Sequence, residues 1–442
     1  MDDSCHGPAL APARHAKASF PWVIAVPLAL ALFLSACGGA GTGSPTPDES
    51  SGTPSLIPAT PVETAASPGP TPSPAASTSP TVPAIIPFPP GTTPEFRFIW
   101  MIDSANGWGI ARAAEPEDHV LRTSDGGRSW QDVTPPEPPV LPSAQSVDAV
   151  GAFPDARVGW VAYIVSPAEL APLEIHFWRT SGGGQEWESG GRVDLSDFPE
   201  AAPIIAFGDV DVGWLLVEQF VGMGHHAFTL LRTQDGGRSW EQLAGPPDSE
   251  STCHRTGLAF ANASSGWITG ECPFDPGGSA LLEITHDGGV TWLPLQLPPP
   301  PQTPELFRTA LLCSARSPHL FGPESGSLVV TCLLDSAGGS QEQSYLYATS
   351  DGGATWRNSI YPGGDLYLLD PDRGWALSTD SYWTEDGGVT WTMIQTVDWV
   401  GQFSFVDEML GWAVAQSVDE SALARTLDGG RTWELLEPII SP

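Results

Sequence analysis

Residues 349–356 read Thr-Ser-Asp-Gly-Gly-Ala-Thr-Trp, and this eight-residue phrase returns along the chain. The other copies are TSDGGRSW from Thr123, TSGGGQEW from Thr180, TQDGGRSW from Thr233, THDGGVTW from Thr285, TEDGGVTW from Thr384 and TLDGGRTW from Thr426. Seven copies between Phe96 and Pro442 set a repeat of about 50 residues, which places the chain among repeat architectures. A Gly-Trp pair stands upstream of six of them, at Gly107, Gly159, Gly213, Gly266, Gly374 and Gly411; the fifth unit has Gly326-Ser327 near that place. Together these positions hold 13 of the 18 tryptophans, so the Trp content is mostly periodic.

The chemistry of the phrase is that of a tight turn. An Asp carboxylate accepts backbone N–H groups from the residues that follow it, and glycines supply the positive φ that a short hairpin requires. The Thr hydroxyl closes the same small network, and the terminal Trp carries a large aromatic face for burial between sheets. Alternating apolar runs such as HVLRT, FTLLRT and SYLYAT lead into the turns, and WEQL, WLPL and WELL leave them, so both flanks read as strands. Each unit is then a four-stranded antiparallel meander. Such units repeated radially make a β-propeller, so the expected fold is all-β, a seven-bladed propeller of four-stranded antiparallel blades with Asp-box turns.

The phrase resembles the Asp-box, or BNR, repeat S/T-x-D-x-G-x-T/S-W. With the upstream Gly-Trp, residues 96–442 are similar to propellers of the photosystem II stability/assembly factor family, which implies an assembly or binding role. The second copy departs from the pattern, with Gly182 in place of the Asp and Glu186 in place of the Thr. In Asp-box families the turn joins the third and fourth strands on the outer rim, which implies a structural role for Asp125, Asp235, Asp287, Asp351, Asp386 and Asp428.

Composition narrows the function. The 442 residues include 48 Gly and 46 Pro, too many interruptions for a mainly helical protein. Asp plus Glu number 52 against 18 Lys plus Arg, a net charge of −34, so a phosphate-neutralising grip on nucleic acid is not expected. Lys17 is the only lysine, which removes Schiff-base and P-loop chemistry from the repeat region.

The first residues read as an address. Arg14, His15 and Lys17 precede an apolar run from Phe20 to Leu34, which ends in Leu-Ser-Ala-Cys at Cys37. The tetrad resembles the lipobox of bacterial lipoproteins, which implies a signal peptide over residues 1–36 and a lipidated Cys37. Residues 37–95 are rich in Pro, Ser, Thr, Ala and Gly, with too little apolar surface to offset chain entropy, and read as a disordered tether. The propeller occupies 96–442. The expected location is extracytoplasmic, anchored by lipid to the cell membrane or envelope.

Four further cysteines, Cys253, Cys272, Cys313 and Cys332, form two pairs each 19 residues apart, one in the fourth unit and one in the fifth. In an exported protein they read as two disulfides, and no CxxC spacing supports zinc. His225-His226 reads as a solvated pair, because neighbours on a strand point to opposite faces. Arg122, Arg179, Arg232 and Arg425 each stand just before a box Thr and form a candidate arc for an acidic partner, or else ion pairs between blades.

Phe96-Arg97-Phe98-Ile99 resembles the F/Y-R-I-P motif of sialidases, whose arginine binds a substrate carboxylate, but the proline is missing and the segment reads as the first strand. Long connections run from Thr134 and Pro294, and over Ser166–Glu174 and Asp335–Ser344. They emerge on the face opposite the boxes, where binding on a rigid scaffold usually resides. The expectation is a monomer without cofactor or metal, a non-catalytic module for a protein or glycan partner outside the cytoplasm. The alternative is a glycan-active hydrolase on the same scaffold.

Overall fold

The computed structural model describes residues 87–442, apart from 113–117, 137–145, 167–173, 196–201, 223–224, 245–250, 275–278, 337–338 and 418–420. Strands dominate, and among the described residues the one α-helix is the single turn Leu306–Thr309. The strands form four-stranded antiparallel meanders in sequence order. The first comprises Glu95–Met101, Gly107–Arg112, Asp118–Thr123 and Ser129–Asp132. The third comprises Ala202–Phe207, Gly213–Gly222, His225–Thr233 and Glu241–Ala244. Those of the fourth and fifth box units share one sheet through a bridge between Glu271 and Ser314.

One register recurs in every meander. The glycine that opens the second strand faces the box threonine that ends the third: Gly107 with Thr123, Gly159 with Thr180, Gly213 with Thr233, Gly266 with Thr285, Gly374 with Thr384 and Gly411 with Thr426. The fifth unit keeps it too, Gly326 facing Thr349, although Ser327 replaces the tryptophan. The side-chain period of two then sends each Gly-Trp indole to the same face of its sheet.

That face is where the core lies. Apolar clusters join each meander to the next, as Ala162, Ile164 and Phe177 of the second pack on Leu215 and Val217 of the third. The last pack on the first: Trp412, Val414 and Leu423 meet Phe96, Ile99 and Met101. Several indoles stack on a phenylalanine of the following meander, Trp108 on Phe153, Trp160 on Phe207, Trp214 on Phe260 and Trp375 on Phe405. The core is thus a closed series of sheet-to-sheet layers.

Both chain ends of the described region clasp the first sheet. Ile439–Ile440 pairs in parallel with Ser129 and Trp130, and Gly91 N donates to Ile440 O at 2.8 Å. Phe88, in the stretch that composition assigns to the tether, is buried in the cluster between first and last meanders, and its N–H donates to Asp132 at 3.0 Å. An apolar residue among prolines gives no periodic signal, so this contact was not readable in the sequence.

Candidate functional site

The two ends of the meanders differ in chemistry. At the box end each aspartate is consumed by its own turn. Asp287 Oδ1 accepts from Thr291 N at 2.9 Å and Thr285 Oγ1 at 2.8 Å, and Oδ2 accepts from Thr291 Oγ1 at 2.6 Å. Asp125, Asp235, Asp351, Asp386 and Asp428 accept the equivalent bonds. The Thr291 hydroxyl and N–H hold the Asp287 carboxyl down to about 2. Both glycines of each box have positive φ, 76° and 94° at Gly288 and Gly289, which only glycine adopts without strain. In the second box, where Gly182 replaces the acid, Thr180 Oγ1 still accepts from Gly182 N at 3.2 Å and Gly184 N at 3.0 Å.

A second set of capped turns lies beside the boxes. Asp103, Asp155, Asp209, Asn262, Asp370 and Asp407 each stand four residues before the glycine of Gly-Trp and accept two backbone N–H bonds, as Asp103 does from Ala105 at 2.7 Å and Asn106 at 2.8 Å. Their sequence signal is Asp or Asn followed after three residues by Gly-Trp, which the box motif alone does not contain. Each box then bonds to its neighbouring turn through its first glycine, from Gly126 N to Ala105 O at 2.8 Å through Gly429 N to Met409 O at 2.9 Å. An open cleft of about 490 Å³ on this side is lined by Leu369, Arg373 and Glu408 among others. Arg373 is already paired there with Asp370 and Glu408.

The arginines that precede the boxes are drawn inward. Arg179 pairs with Glu188 and with Asp211 of the next meander, Arg232 with Glu241 at 3.2 Å, and Arg425 with Glu434 at 2.8 Å. Arg122 lies over the Trp108 ring. The first three side chains are only 13–16% exposed.

The opposite end carries the second-to-third strand connections and the links between meanders, and two polar clusters sit there. Between the first and second meanders, Asp118 is fully buried and bonds to Arg97 at 2.5 Å, Arg112 at 2.8 Å and Ala149 N at 2.7 Å. Asp148 holds the same two arginines at 2.8 and 2.5 Å. Arg97, the arginine of the sialidase-like segment, is therefore committed to two carboxylates of its own chain.

The second cluster lies between the third meander and the fourth, whose first two strands are His254–Phe260 and Gly266–Glu271. In the third meander Glu218 pairs across with Phe228 and Phe220 with His226, so Glu218 and His226 share the face turned toward the fourth meander. His226 Nδ1 lies 3.5 Å from Glu218 Oε1 and stacks on His254 at 4.9 Å between ring centres. His254 Nε2 is 3.8 Å from Glu218 Oε2, and its Nδ1 is 3.9 Å from Glu271 Oε1. Ligand atoms of Glu218, His226 and His254 all lie within 4.8 Å of one another, a set able to hold a metal ion.

Burial raises Glu218 to about 7, opposed by His254 and by the Arg255 N–H, which donates to Oε2 at 2.6 Å. Contact with Glu271 raises His254 above the usual imidazole range, and the same contact lowers Glu271; burial, then His254, lowers His226. On strand alternation alone His225-His226 reads as a solvated pair. In the structure His225 is exposed, but His226 is half-buried against acidic and imidazole groups from 8 and 28 residues away. A bulge between Phe220 and Gly222 sets the register that brings them together.

Disulfides join Cys253 to Cys272 and Cys313 to Cys332 across the first two strands of their meanders. The first pair flanks His254 and Glu271 directly. Two disulfides suit an oxidising compartment. No helix among the described residues is long and apolar enough to cross a membrane. Cys37, Cys5, most of the Ser166–Glu174 connection and the tip of the Asp335–Ser344 hairpin lie outside the described residues.

No family model matches the chain, and no curated protein matches it. Solved structures do. A prolyl endopeptidase is similar at 9% identity with a TM-score of 0.50, over 79% of this chain and 50% of that one, so the chain spans half that enzyme's length. The β-propeller domain of the Trilobed protease from Pyrococcus furiosus is 10% identical, with a TM-score of 0.45 over 78% and 96% of the two chains. A GH93 α-L-arabinofuranosidase of Fusarium graminearum is 8% identical, with a TM-score of 0.41 over 76% and 97%. At such identities the likeness concerns fold alone. The chain's own architecture, four-stranded antiparallel meanders with the last packed on the first, is that of a β-propeller.

Proposed function

We propose that this chain is an exported lipoprotein, anchored through Cys37, whose seven-bladed Asp-box propeller is a non-catalytic binding or assembly module. The ring count follows the seven boxes and the packing of the last meander on the first. The binding face is the one opposite the boxes. The observation that carries this assignment is the difference in how the two ends use their polar groups. Every box acid is spent on its own turn, whereas the other end holds buried Glu218 with half-buried His226 and His254 in a cluster beside variable connections. The photosystem-assembly role rests on motif resemblance alone.

The test is capture of envelope partners by the full-length chain, with its variants compared at equal folded amounts. Shortening 166–174 or 335–344 should abolish capture and barely move the melting temperature. Loss of capture in folded Asp351→Ala, with the loop variants unaffected, would reverse the faces.

A second reading, a glycan hydrolase, draws on one observation. Glu218 and Glu271 face the two ring nitrogens of His254, at 3.8 and 3.9 Å, and burial raises the first while His254 lowers the second, a pairing in which one carboxyl could act as acid and the other stay ionised. Turnover of aryl glycosides that disappears in Glu218→Gln would favour it over the binding module.

A further inference from the structure

We propose that Glu218, His226 and His254 bind a divalent ion of the zinc class, held between the third and fourth meanders on the face opposite the boxes. The donor set is two imidazoles and one carboxylate, which suits zinc and leaves a fourth position open. A tetrahedral ion with bonds of about 2.0–2.2 Å keeps its donors roughly 3.4 Å apart. Glu218 Oε1 and His226 Nδ1 already stand 3.5 Å apart, and His254 Nε2 is 3.8 Å from Glu218 Oε2. Donor atoms of all three residues lie within 4.8 Å of one another, so side-chain adjustments of roughly an ångström or somewhat more complete the set.

An independent observation points to the same place. The Glu218 side chain is 7% exposed, and while Oε2 takes the Arg255 N–H, Oε1 is buried and accepts no hydrogen bond among the described residues. A carboxylate oxygen in that condition is costly unless something coordinates it. The surroundings are those of a built site. Glu271 faces Nδ1 of His254, where a carboxylate orients a ligating imidazole. The Cys253–Cys272 disulfide pins the backbone next to both residues. Arg255, the neighbour of His254, is turned to Glu283 at 3.4 Å and over the Phe228 ring at 4.0 Å.

The experiment is calorimetric titration of the full-length, EDTA-treated chain with Zn²⁺, paired with Co²⁺ absorption on the wild type. The expected result is one tight site. It should be lost in Glu218→Gln, His226→Ala and His254→Ala, retained in His225→Ala, and weakened roughly 10–100-fold in Glu271→Gln. The Co²⁺ spectrum should show visible bands of a nitrogen and oxygen donor set. It needs no variant, so the result stands even if a substitution prevents folding. Absence of a Zn²⁺ site, a thiolate charge-transfer band, or equal binding by folded His226→Ala and wild type would overturn the proposal. A partner captured equally with and without Zn²⁺ would leave the binding-module reading intact, so the two can fail separately.

Discussion

The indole Nε1 of Trp412 donates a hydrogen bond of 3.0 Å to the carbonyl of Gly126, linking residues 286 positions apart. It repeats bonds made between consecutive meanders, Trp214 to Gly288 at 2.8 Å and Trp375 to Gly429 at 3.1 Å. A device that elsewhere joins a meander to its successor here joins the last to the first, and so closes the ring.

Trp412→Phe keeps most of the apolar contact and strands a buried carbonyl. It should destabilise by about 1–3 kcal/mol more than Trp160→Phe, because the Trp160 Nε1 is buried with no partner among the described residues. Denaturant melts of the two variants measure the difference; equal costs would show that the bond contributes nothing to closure.

Asp351→Ala and Asp428→Ala each remove the acceptor of a turn's backbone and hydroxyl donors. Asp428→Ala should cost roughly 1–2 kcal/mol by thermal or chemical unfolding and Asp351→Ala should lower the melting temperature in the same direction, while Gly182→Ala, in the box without an acid and with no atom within 4 Å of an added Cβ, should cost under about 0.5 kcal/mol.

The acid limb of stability should reflect the boxes. Asp287 sits at about 2 in the folded chain, and hydroxyl and N–H bonds lower Asp235 and Asp351 as well. Their unfolded carboxyls titrate near 3.8, so the unfolded state binds more protons between those values. The stabilisation is complete above about pH 4 and is lost as the pH falls toward 2. Urea midpoints across this range should drop more steeply for the wild type than for Asp287→Asn.

Asp118→Asn leaves Arg97 and Arg112 facing a neutral amide in a site where the carboxylate is wholly buried. The expected loss is roughly 3 kcal/mol, and Arg97→Gln in the same chain should restore part of it, since an uncompensated charge causes most of the cost. Additive losses in the double variant would contradict that account.

Cys37→Ser should move the protein out of the membrane fraction or leave an unprocessed precursor. Metabolic labelling with a radiolabelled fatty acid reads the same step, and an unlabelled wild type would remove the lipoprotein assignment.

The repeat and its turns were legible because their bonds close within four residues. Thr285, Asp287, the two glycines and Thr291 carry in their own side chains the donors and acceptors that the turn needs, so residue type alone specifies it. The spacing of 19 residues between Cys253 and Cys272 was readable for the same reason, since one hairpin places them opposite each other. The Asp-to-Gly-Trp turns are equally local, each closed by one Asp or Asn side chain on the two N–H groups that follow, so they too are specified by residue type.

The His and Glu cluster belongs to another scale. Glu218 and His254 are 36 positions apart on different sheets, and they meet because a bulge after Phe220 fixes the hairpin register and the apolar layer of Leu216, Phe228 and Leu258 sets how the sheets pack. Likewise Arg97 is diverted from any ligand by Asp148, 51 positions on. Sequence alone determined the units and their turns, whose free energy lies in short-range bonds. The tertiary structure decided which polar side chains share a space, because register and sheet packing depend on the loops and layers of two neighbouring units at once.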